Sequence, residues 1–421
     1  MVKDIVGQHK VEKERLLLKD YILREKLNFA KKYLDSNLVK IIIGPRRAGK
    51  SIFSLLLLKD RDFAYINFDD EAILKIKDYD EILTSILEVY PNTNIILFDE
   101  IQNLPGWELF VNKLQRRGFN LVLTGSNASL LNQELSTRLT GRYIPIEIFP
   151  FNFREVLRAK DFNAKEEELN LPETKGRILN YLDDYLKNGG FPEVKVTNLD
   201  PKIYLQTLFD AILLRDIVKR YNVRFSQKIY EVAVYLTANF CSEFSFSKLR
   251  NILGLRSTNT LENYLRYLEE TYLFFPLNRF SFKMKEVIKT PKKIYLIDNG
   301  FILAKSFLSS ENLGRLMENL VFTECLRRGF KLNESLFYYK TRNNREVDFL
   351  LKEGLKIKDL IQVCYEIDNS SVRERELKSL VEASDELNCS DLSVITWDYE
   401  AKEEFKDRWI RFIPLWKWLL E

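Results

Sequence analysis

Histidine is nearly absent from this chain. Its 421 residues hold one, His9, which excludes a histidine-based catalytic triad and the common histidine-containing zinc constellations. Cysteine is scarce and scattered: Cys241, Cys325, Cys364 and Cys389 form no C-x-x-C pair, so they read as reduced, buried thiols. No run reaches the length of about 18 apolar residues that a membrane-spanning helix needs, and the N-terminal stretch "MVKDIVGQHKVEKERLLLKD" is charged throughout. Neither a membrane span nor a signal peptide is expected, and the expected location is cytoplasmic. An excess of one charge is lacking too. The 65 Lys and Arg against 61 Asp and Glu leave only +4, so bulk charge selects no polyanionic partner and any basic surface must be local. Internal repeats and low-complexity tracts are also missing.

What the chain does contain is enough apolar material, 46%, to bury the two to four domains its length implies. Over residues 1–150, "LVKIII", "FAYINF", "NIILF", "NLVLT" and "YIPIEI" alternate with helical stretches, the order of a parallel sheet with crossover helices. The first of these runs straight into "GPRRAGKS". Gly44, Gly49, Lys50 and Ser51 match G-x-x-x-x-G-K-[ST] at every fixed position, and a strand before it with a helix after it is the setting of a phosphate-binding loop. Glycines let successive backbone N–H groups turn toward one anion, and the helix starting near Lys50 adds its positive end. The expected cradle for ATP is Gly44, Pro45, Arg46, Arg47, Ala48, Gly49, Lys50, Ser51 and Ile52, with Lys50 on the β- and γ-phosphates and the Ser51 hydroxyl on Mg²⁺.

A phosphate loop alone does not hydrolyse. "NIILFDEIQN" ends an apolar strand in Asp99 and Glu100 about fifty residues after Lys50. That spacing puts Asp99 beside the metal and Glu100 beside the γ-phosphate, where a carboxylate polarises the attacking water. "NLVLTGSN" supplies Thr124, Ser126 and Asn127 as candidates to sense the γ-phosphate or the water, or else as an ordinary strand-to-helix cap. "STRLTGRY" offers Arg138 and Arg142. In a homo-oligomer either could reach a neighbour's nucleotide and neutralise transition-state charge; as exposed arginines of a monomer they would do neither.

After Pro150 the β/α rhythm stops. Residues 151–224 read as a helical lid, broken at "NGGFPEV". Residues 225–298 read as a winged helix-turn-helix: "SFSKLRNILGLRSTNTLENYLRYLEE" has a short helix, a Gly-containing turn and a second helix with a cap over Asn259 to Glu262. The basic segment 279–293 follows, with Arg279, Lys283, Lys285, Lys289, Lys292 and Lys293 around the single acid Glu286 and Phe280 and Phe282 between them. It is the best candidate for DNA contact, the alternative being a face for domain packing. From Asn299, "ENLVFTECLRRG", "EVDFLL" and "DLIQVCYEI" read as one helix and two strands of a further α/β unit, 299–421.

Together "GPRRAGKS", "YINFDDE", "LFDEIQNLPGWELFVNKL", "LTGSNASLL", "LTGRY" and "FPFNFREV", with "YLKNGGFPEV", "LIDNGF", "ENLVFTECLRRG" and "REVDFLL" downstream, resemble AAA-family ATPases found mostly in archaea and bacteria. In that family an ATPase module precedes a winged helix and a C-terminal domain of unknown function resembling the restriction-endonuclease fold. The resemblance spans nearly the whole chain and implies DNA as a partner without implying cleavage. A nuclease of that fold needs carboxylates on adjacent strands and a lysine near the attacking water. Glu318, Asp348 and Gln362 stand in the right order, but Cys364 occupies the lysine position, which leaves Lys356 or Lys358 as substitutes. The site reads as silent. The expected protein is a Mg²⁺-dependent ATPase working on DNA, with an ATP-controlled regulatory switch that binds protein partners as the competing class.

Overall fold

Five short apolar runs pair into one parallel sheet in the computed structural model, which describes residues 2–127, 141–305 and 312–421. The strands are β1 (Val39–Ile43), β2 (Ala64–Asn67), β3 (Ile95–Asp99), β4 (Asn120–Gly125) and β5 (Tyr143–Glu147), in the order β2-β3-β4-β1-β5. Every neighbouring pair is parallel, and the helices Lys50–Leu58, Tyr79–Val89 and Trp107–Arg116 carry the chain back over the sheet to β2, β3 and β4. With both faces covered, β1 is buried at all five positions, which explains why four of its five residues are apolar with no alternation; the exception, Lys40, has its ammonium satisfied by the carbonyls of Ser36 and Leu38 and by Asn120 Oδ1. Ile42, Phe53, Leu58, Leu97 and Val122 meet in the core on one side. Because β4 lies between β1 and β3, the loop leaving β1, the acids ending β3 and the polar residues after β4 open at one edge.

The chain divides into two units, Met1–Phe151 and Asn152–Glu421. The second begins with the helices Phe153–Ala159, Pro172–Asn188, Pro192–Val196 and Pro201–Ala211, the last continuing as a π-helical stretch Ile212–Lys219. Next come helix Ser226–Ala238, the short strand β6 (Glu243–Phe244), helices Phe246–Ile252 and Thr258–Glu270, and strands β7 (Phe274–Asn278) and β8 (Lys292–Leu296). The three strands form an antiparallel sheet in the order β6-β8-β7. Helix Thr258–Glu270 is capped by Ser257, whose side chain accepts from Asn259 N at 3.1 Å. The cap therefore precedes the Asn259 to Glu262 stretch expected to supply it, because Ser257 is the residue in extended conformation and Asn259 is already helical.

Strands β9 (Leu336–Lys340), β10 (Glu346–Glu353), β11 (Lys356–Cys364), β12 (Leu392–Thr396), β13 (Ala401–Phe405) and β14 (Arg408–Pro414) form a six-stranded mixed sheet ordered β13-β14-β12-β11-β10-β9. Sequence reading saw only β10 and β11 of it. Helix Ser370–Leu387 packs Leu377 and Leu380 onto Val347, Leu360 and Val394 of the sheet.

The downstream motifs meet at a joint within the second unit. Gly189 has φ 68° and would place a Cβ 1.6 Å from Asp298 Oδ1, so no other residue fits there. Asp298 accepts from Gly190 N at 2.7 Å and Gly300 N at 2.9 Å. Asn299 donates to the carbonyls of Leu186 and Leu316, both at 2.9 Å, and Asn319 donates to Asn299 Oδ1 at 2.8 Å. "NGGFP", "LIDNGF" and "ENLVF" are thus parts of one packing node. All four cysteines are buried and free. Among the described residues no helix is long and apolar enough to cross a membrane.

Candidate functional site

The loop between β1 and helix Lys50–Leu58 needs its glycines. Gly49 sits at φ 88° as the residue before the helix, a conformation that costs other residues free energy. Gly44, at φ 146°, passes so close to β5 that a Cβ would lie 2.0 Å from the carbonyl oxygen of Ile148. Arg24 holds the loop from behind, donating to Ala48 O at 2.9 Å and to Phe149 O at 2.6 Å. Lys50 is buried, and its Nζ donates to Pro45 O at 3.0 Å, folding the ammonium under the loop. Arg46 is half-exposed and Arg47 exposed at φ 64°; Ile52 begins the helix's partly covered face.

Asp99 is the hub of the site. It is buried, Ser51 Oγ donates to its Oδ1 at 2.9 Å, Thr124 Oγ1 donates to the same oxygen, and Tyr65 OH donates to Oδ2 at 3.2 Å. Thr124 in turn accepts from Glu100 N at 2.9 Å. One hydrogen-bonded chain therefore links the helix after the phosphate loop, both acids and the end of β4. Burial, with the neighbouring Glu100 charge, pushes the Asp99 carboxyl up to about 6 against the pull of its hydroxyl donors. Among the described residues its side-chain hydrogen-bond partners, Ser51, Thr124 and Tyr65, are neutral hydroxyls that bring no positive charge to it. A carboxylate and a serine hydroxyl in contact, both hard oxygen ligands, fit a Mg²⁺ ion.

Glu100 ends β3 in the left-handed region, φ 51° and ψ 44°. Its Oε2 accepts from Gln102 Nε2, and Gln102 Nε2 lies 3.5 Å from Ser126 Oγ. Burial pushes the Glu100 carboxyl up, but Lys50, the Gln102 amide and Arg46 together outweigh it and hold it below the usual carboxylate range. The site thus carries two adjacent acids with opposite shifts, the pattern that separates roles in phosphoryl and acyl chemistry.

Of the sequence-derived candidates, the structure gathers Lys50, Ser51, Asp99, Glu100 and Ser126 at one sheet edge. Asn127 is buried just after β4. Thr124, one of three sensor candidates, makes the contacts to both acids. Arg142 is exposed at the start of β5, its carbonyl accepting from Val39 N at 2.9 Å; Arg138 lies outside the described residues. Sequence reading missed Arg24, Tyr65 and Gln102. Gln102 stood inside a quoted motif, but nothing in spacing alone ties an amide two residues on to the glutamate.

In the second unit the structure brings Glu318 and Asp348 together around a lysine from a different strand. Lys293 of β8 is buried, with Nζ 2.6 Å from Glu318 Oε1, 2.7 Å from Glu346 Oε1 and 3.5 Å from Asp348 Oδ1. Tyr295 OH donates to Glu318 Oε1 at 2.7 Å, and Asp348 Oδ2 accepts from Val363 N at 2.9 Å. Gln362 Oε1 accepts from Asp348 N at 3.4 Å while its amide donates to Glu376. Lys356 and Lys358 are exposed, and Lys358 pairs with Glu353 at 3.2 Å; neither enters the cluster. Burial would push Lys293 down, but Glu318, Asp348 and Glu346 raise it well above the ordinary lysine value. The ammonium stands where a divalent cation would have to stand, and among the described residues no group of three or more His, Cys, Asp or Glu side chains is arranged to hold a metal ion.

The basic segment divides in two. Phe280 and Lys293 are buried, whereas Phe282, Lys283, Met284, Lys285, Ile288 and Lys289 are exposed between β7 and β8. Part of this segment is the short helix Met284–Lys289, and the segment's base is fixed by Phe280 N donating to Tyr338 O at 2.8 Å and by Arg279 donating to Lys340 O at 2.8 Å.

Compared with known proteins, residues 36–157 match an AAA domain, 179–312 a domain of unknown function (DUF8612) and 313–418 another (DUF4143). An uncharacterized protein of the archaeon Methanocaldococcus jannaschii is 38% identical over 97% of this chain and 96% of its own. An uncharacterized protein of Haemophilus influenzae is 31% identical over 92% of this chain and 96% of its own. Among solved structures, the Walker-type ATPase of Pyrococcus abyssi aligns with 69% of this chain and 99% of its own at 16% identity and a TM-score of 0.44.

Proposed function

From a chain that belongs to the same family as these archaeal and bacterial proteins and carries an AAA-type P-loop ATPase module in its first unit, we propose a Mg²⁺-dependent ATPase that works on DNA. The observation that carries the ATPase reading is the hydrogen-bonded chain Ser51–Asp99–Thr124–Glu100 beside the Gly44–Gly49 loop. Ser51 and Asp99 would hold the Mg²⁺, which neutralises phosphate charge when bound. Backbone N–H groups of the loop, the positive end of the helix behind it and the Lys50 ammonium bind the β- and γ-phosphates. Glu100, kept ionised by Lys50 and Arg46, accepts a hydrogen bond from the attacking water and aligns it. Thr124 ties the position of Glu100 to that of Asp99. Arg142, in an assembly of several copies, is the arginine available to a neighbour's nucleotide, with Arg138 the second candidate.

In the second unit, residues 225–298 run helix–strand–helix–helix–strand–helix–strand, the short helix Met284–Lys289 lying between β7 and β8; apart from that helix the order supports reading them as a winged helix, with residues 151–224 read as the helical lid. The exposed Lys283, Lys285 and Lys289, alternating with Phe282, Met284 and Ile288, give the segment between β7 and β8 both phosphate-binding charge and apolar side chains for base contact. The C-terminal α/β domain, restriction-endonuclease-like, is silent in cleavage because Lys293 fills its carboxylate cluster. The test is the ATPase rate with and without duplex and single-stranded DNA, together with retention on DNA across a salt series. Stimulation by DNA and binding that falls steeply with salt support the reading. Indifference to DNA with nucleotide-driven changes in size would favour a regulatory switch instead.

A further inference from the structure

β2 is buried at Ala64, Tyr65 and Ile66, and of these three side chains only that of Tyr65 carries a polar atom into the core. Its ring belongs to the same apolar cluster as Ile42, Phe53 and Leu97. Phe would fill that space as well and need no partner, whereas a buried tyrosine hydroxyl needs one. Tyr65 pairs in register with Leu97, and Asn67 with Asp99. The phenol therefore reaches two residues along the neighbouring strand, on the face that alternate residues share, to donate to Asp99 Oδ2 at 3.2 Å. Among the described residues it is the one side-chain donor to that oxygen, while Oδ1 accepts from Ser51 at 2.9 Å and from Thr124. The carboxylate is thus held at both ends, with one oxygen turned to the helix after the phosphate loop and the other kept against β2.

We infer that Tyr65 is a positioning residue for the metal site: by holding Oδ2 it keeps Oδ1 of Asp99 at Ser51, and so sets how firmly the site takes Mg²⁺ with a nucleotide. The inference rests on the ATPase reading and adds to it a residue that acts through Asp99. Mg²⁺ tolerates little departure from octahedral geometry, so a carboxylate that serves it must present its oxygen at a fixed place. Ser51 and Thr124 both meet the Oδ1 end, about which the group can still turn. The bond from Tyr65 is the second point of attachment, and it stops that rotation. Without the phenol, Oδ2 would be a buried oxygen with no donor, and the carboxylate would gain by turning it toward the hydroxyls on the other side. Groups that orient a metal ligand in this way change metal affinity by about 10–100-fold when they are removed. The phosphate loop has no side-chain hydrogen bond to Tyr65 among the described residues, so the effect belongs to the metal and not to the nucleotide alone.

The experiment uses the full chain with Tyr65→Phe, which keeps the ring and removes only the donor, and Tyr65→Leu as a second variant, with circular dichroism to establish folding. Asp99→Asn and the double variant Tyr65→Phe/Asp99→Asn are compared with them. A fluorescent ATP analogue is titrated in EDTA and then across a Mg²⁺ series. The inference predicts metal-free binding within about twofold of the parent and a half-maximal Mg²⁺ concentration about tenfold higher. It also predicts no further loss of Mg²⁺ response when Tyr65→Phe is added to Asp99→Asn, because the two residues act as one unit. Equal Mg²⁺ dependence in the parent and Tyr65→Phe overturns the inference. So does a loss of affinity that is the same with and without the metal, which would make Tyr65 a packing residue, and so do additive losses in the double variant. A parent chain that binds no nucleotide, or binds it without regard to Mg²⁺, overturns the Mg²⁺-ATPase reading and this inference with it, whereas the preceding outcomes overturn the inference alone.

Discussion

Replacing Lys293 by Met removes one positive charge from among three carboxylates and keeps the side chain's length. At an effective dielectric of about 20, a contact such as the 2.6 Å Lys293–Glu318 pair is worth about 6 kcal/mol of attraction. The contact to Glu346 at 2.7 Å is similar in kind but half-exposed, and Asp348 at 3.5 Å adds a weaker share. Much of this is offset by the cost of burying the ammonium, and the net loss on breaking a buried pair from one side is about 3–5 kcal/mol. The carboxylates relieve part of it by taking up protons: burial, with the Glu318 charge beside it, already raises Asp348 well above the usual range, and burial raises Glu318. Lys293→Met should therefore be destabilised by about 3–5 kcal/mol at pH 8 and by less at pH 5. The double variant Lys293→Met/Glu318→Gln removes the charge of the nearest orphaned carboxylate and should recover about half of the loss. The assay is urea unfolding of the full chain at both pH values. A loss under about 1 kcal/mol at pH 8, or one that does not shrink at pH 5, would refute the view that the ammonium neutralises this cluster. If it does neutralise it, the parent chain incubated with supercoiled plasmid and Mg²⁺ or Mn²⁺ should leave the plasmid uncut.

Other consequences are open to measurement. Lys50→Ala should lose ATP binding nearly completely, since the loop then has no point charge on the β- and γ-phosphates; titration with a fluorescent ATP analogue checks it, and parental affinity would sink the site assignment. Arg142→Ala should bind ATP normally, hydrolyse it poorly and depress the parent's rate when the two are mixed, whereas a rate independent of mixing and of protein concentration points to a monomer. Asp298 is pushed up by burial to about 6, above its unfolded value of about 3.9, so its contribution to stability is full below about pH 4 and is lost as pH rises through about 6. Unfolding of the second unit should show this as about 3 kcal/mol of falling stability between those limits, absent in Asp298→Asn, and a flat difference between parent and variant would contradict it.

The phosphate loop and the two acids were legible because their chemistry fixes both residue type and spacing, and because β1 and β3, apolar except for Lys40, run directly into them. The five-stranded sheet was legible for the same reason. In the C-terminal half the signal was weaker. β13, "AKEEF", is a charged edge strand whose inward face holds only Ala401 and Phe405 around Glu403, and β12 lies far along the chain from β11, the strand it pairs with. Lys293 read as part of a basic surface because five of its neighbours in sequence are cationic; only the pairing of β8 with β6 and β7 turns its side chain inward to Glu318, 25 residues away in the chain. Gln102 and Thr124 illustrate the same limit at the site itself. A polar residue after a strand can cap, sense or clamp, and the choice depends on which carboxylate the fold brings within hydrogen-bond reach.

The measurement that bears most directly on the central claim is phosphate release from Mg²⁺-ATP by the parent and by Glu100→Gln, run with a binding titration of both. The amide keeps the shape of Glu100 but cannot draw a proton toward itself, so the account predicts near-parental ATP binding and turnover lower by about two orders of magnitude or more, the range that a general base supplies. Equal phosphate release by the two proteins would contradict it and would mean that Glu100 does not position the water.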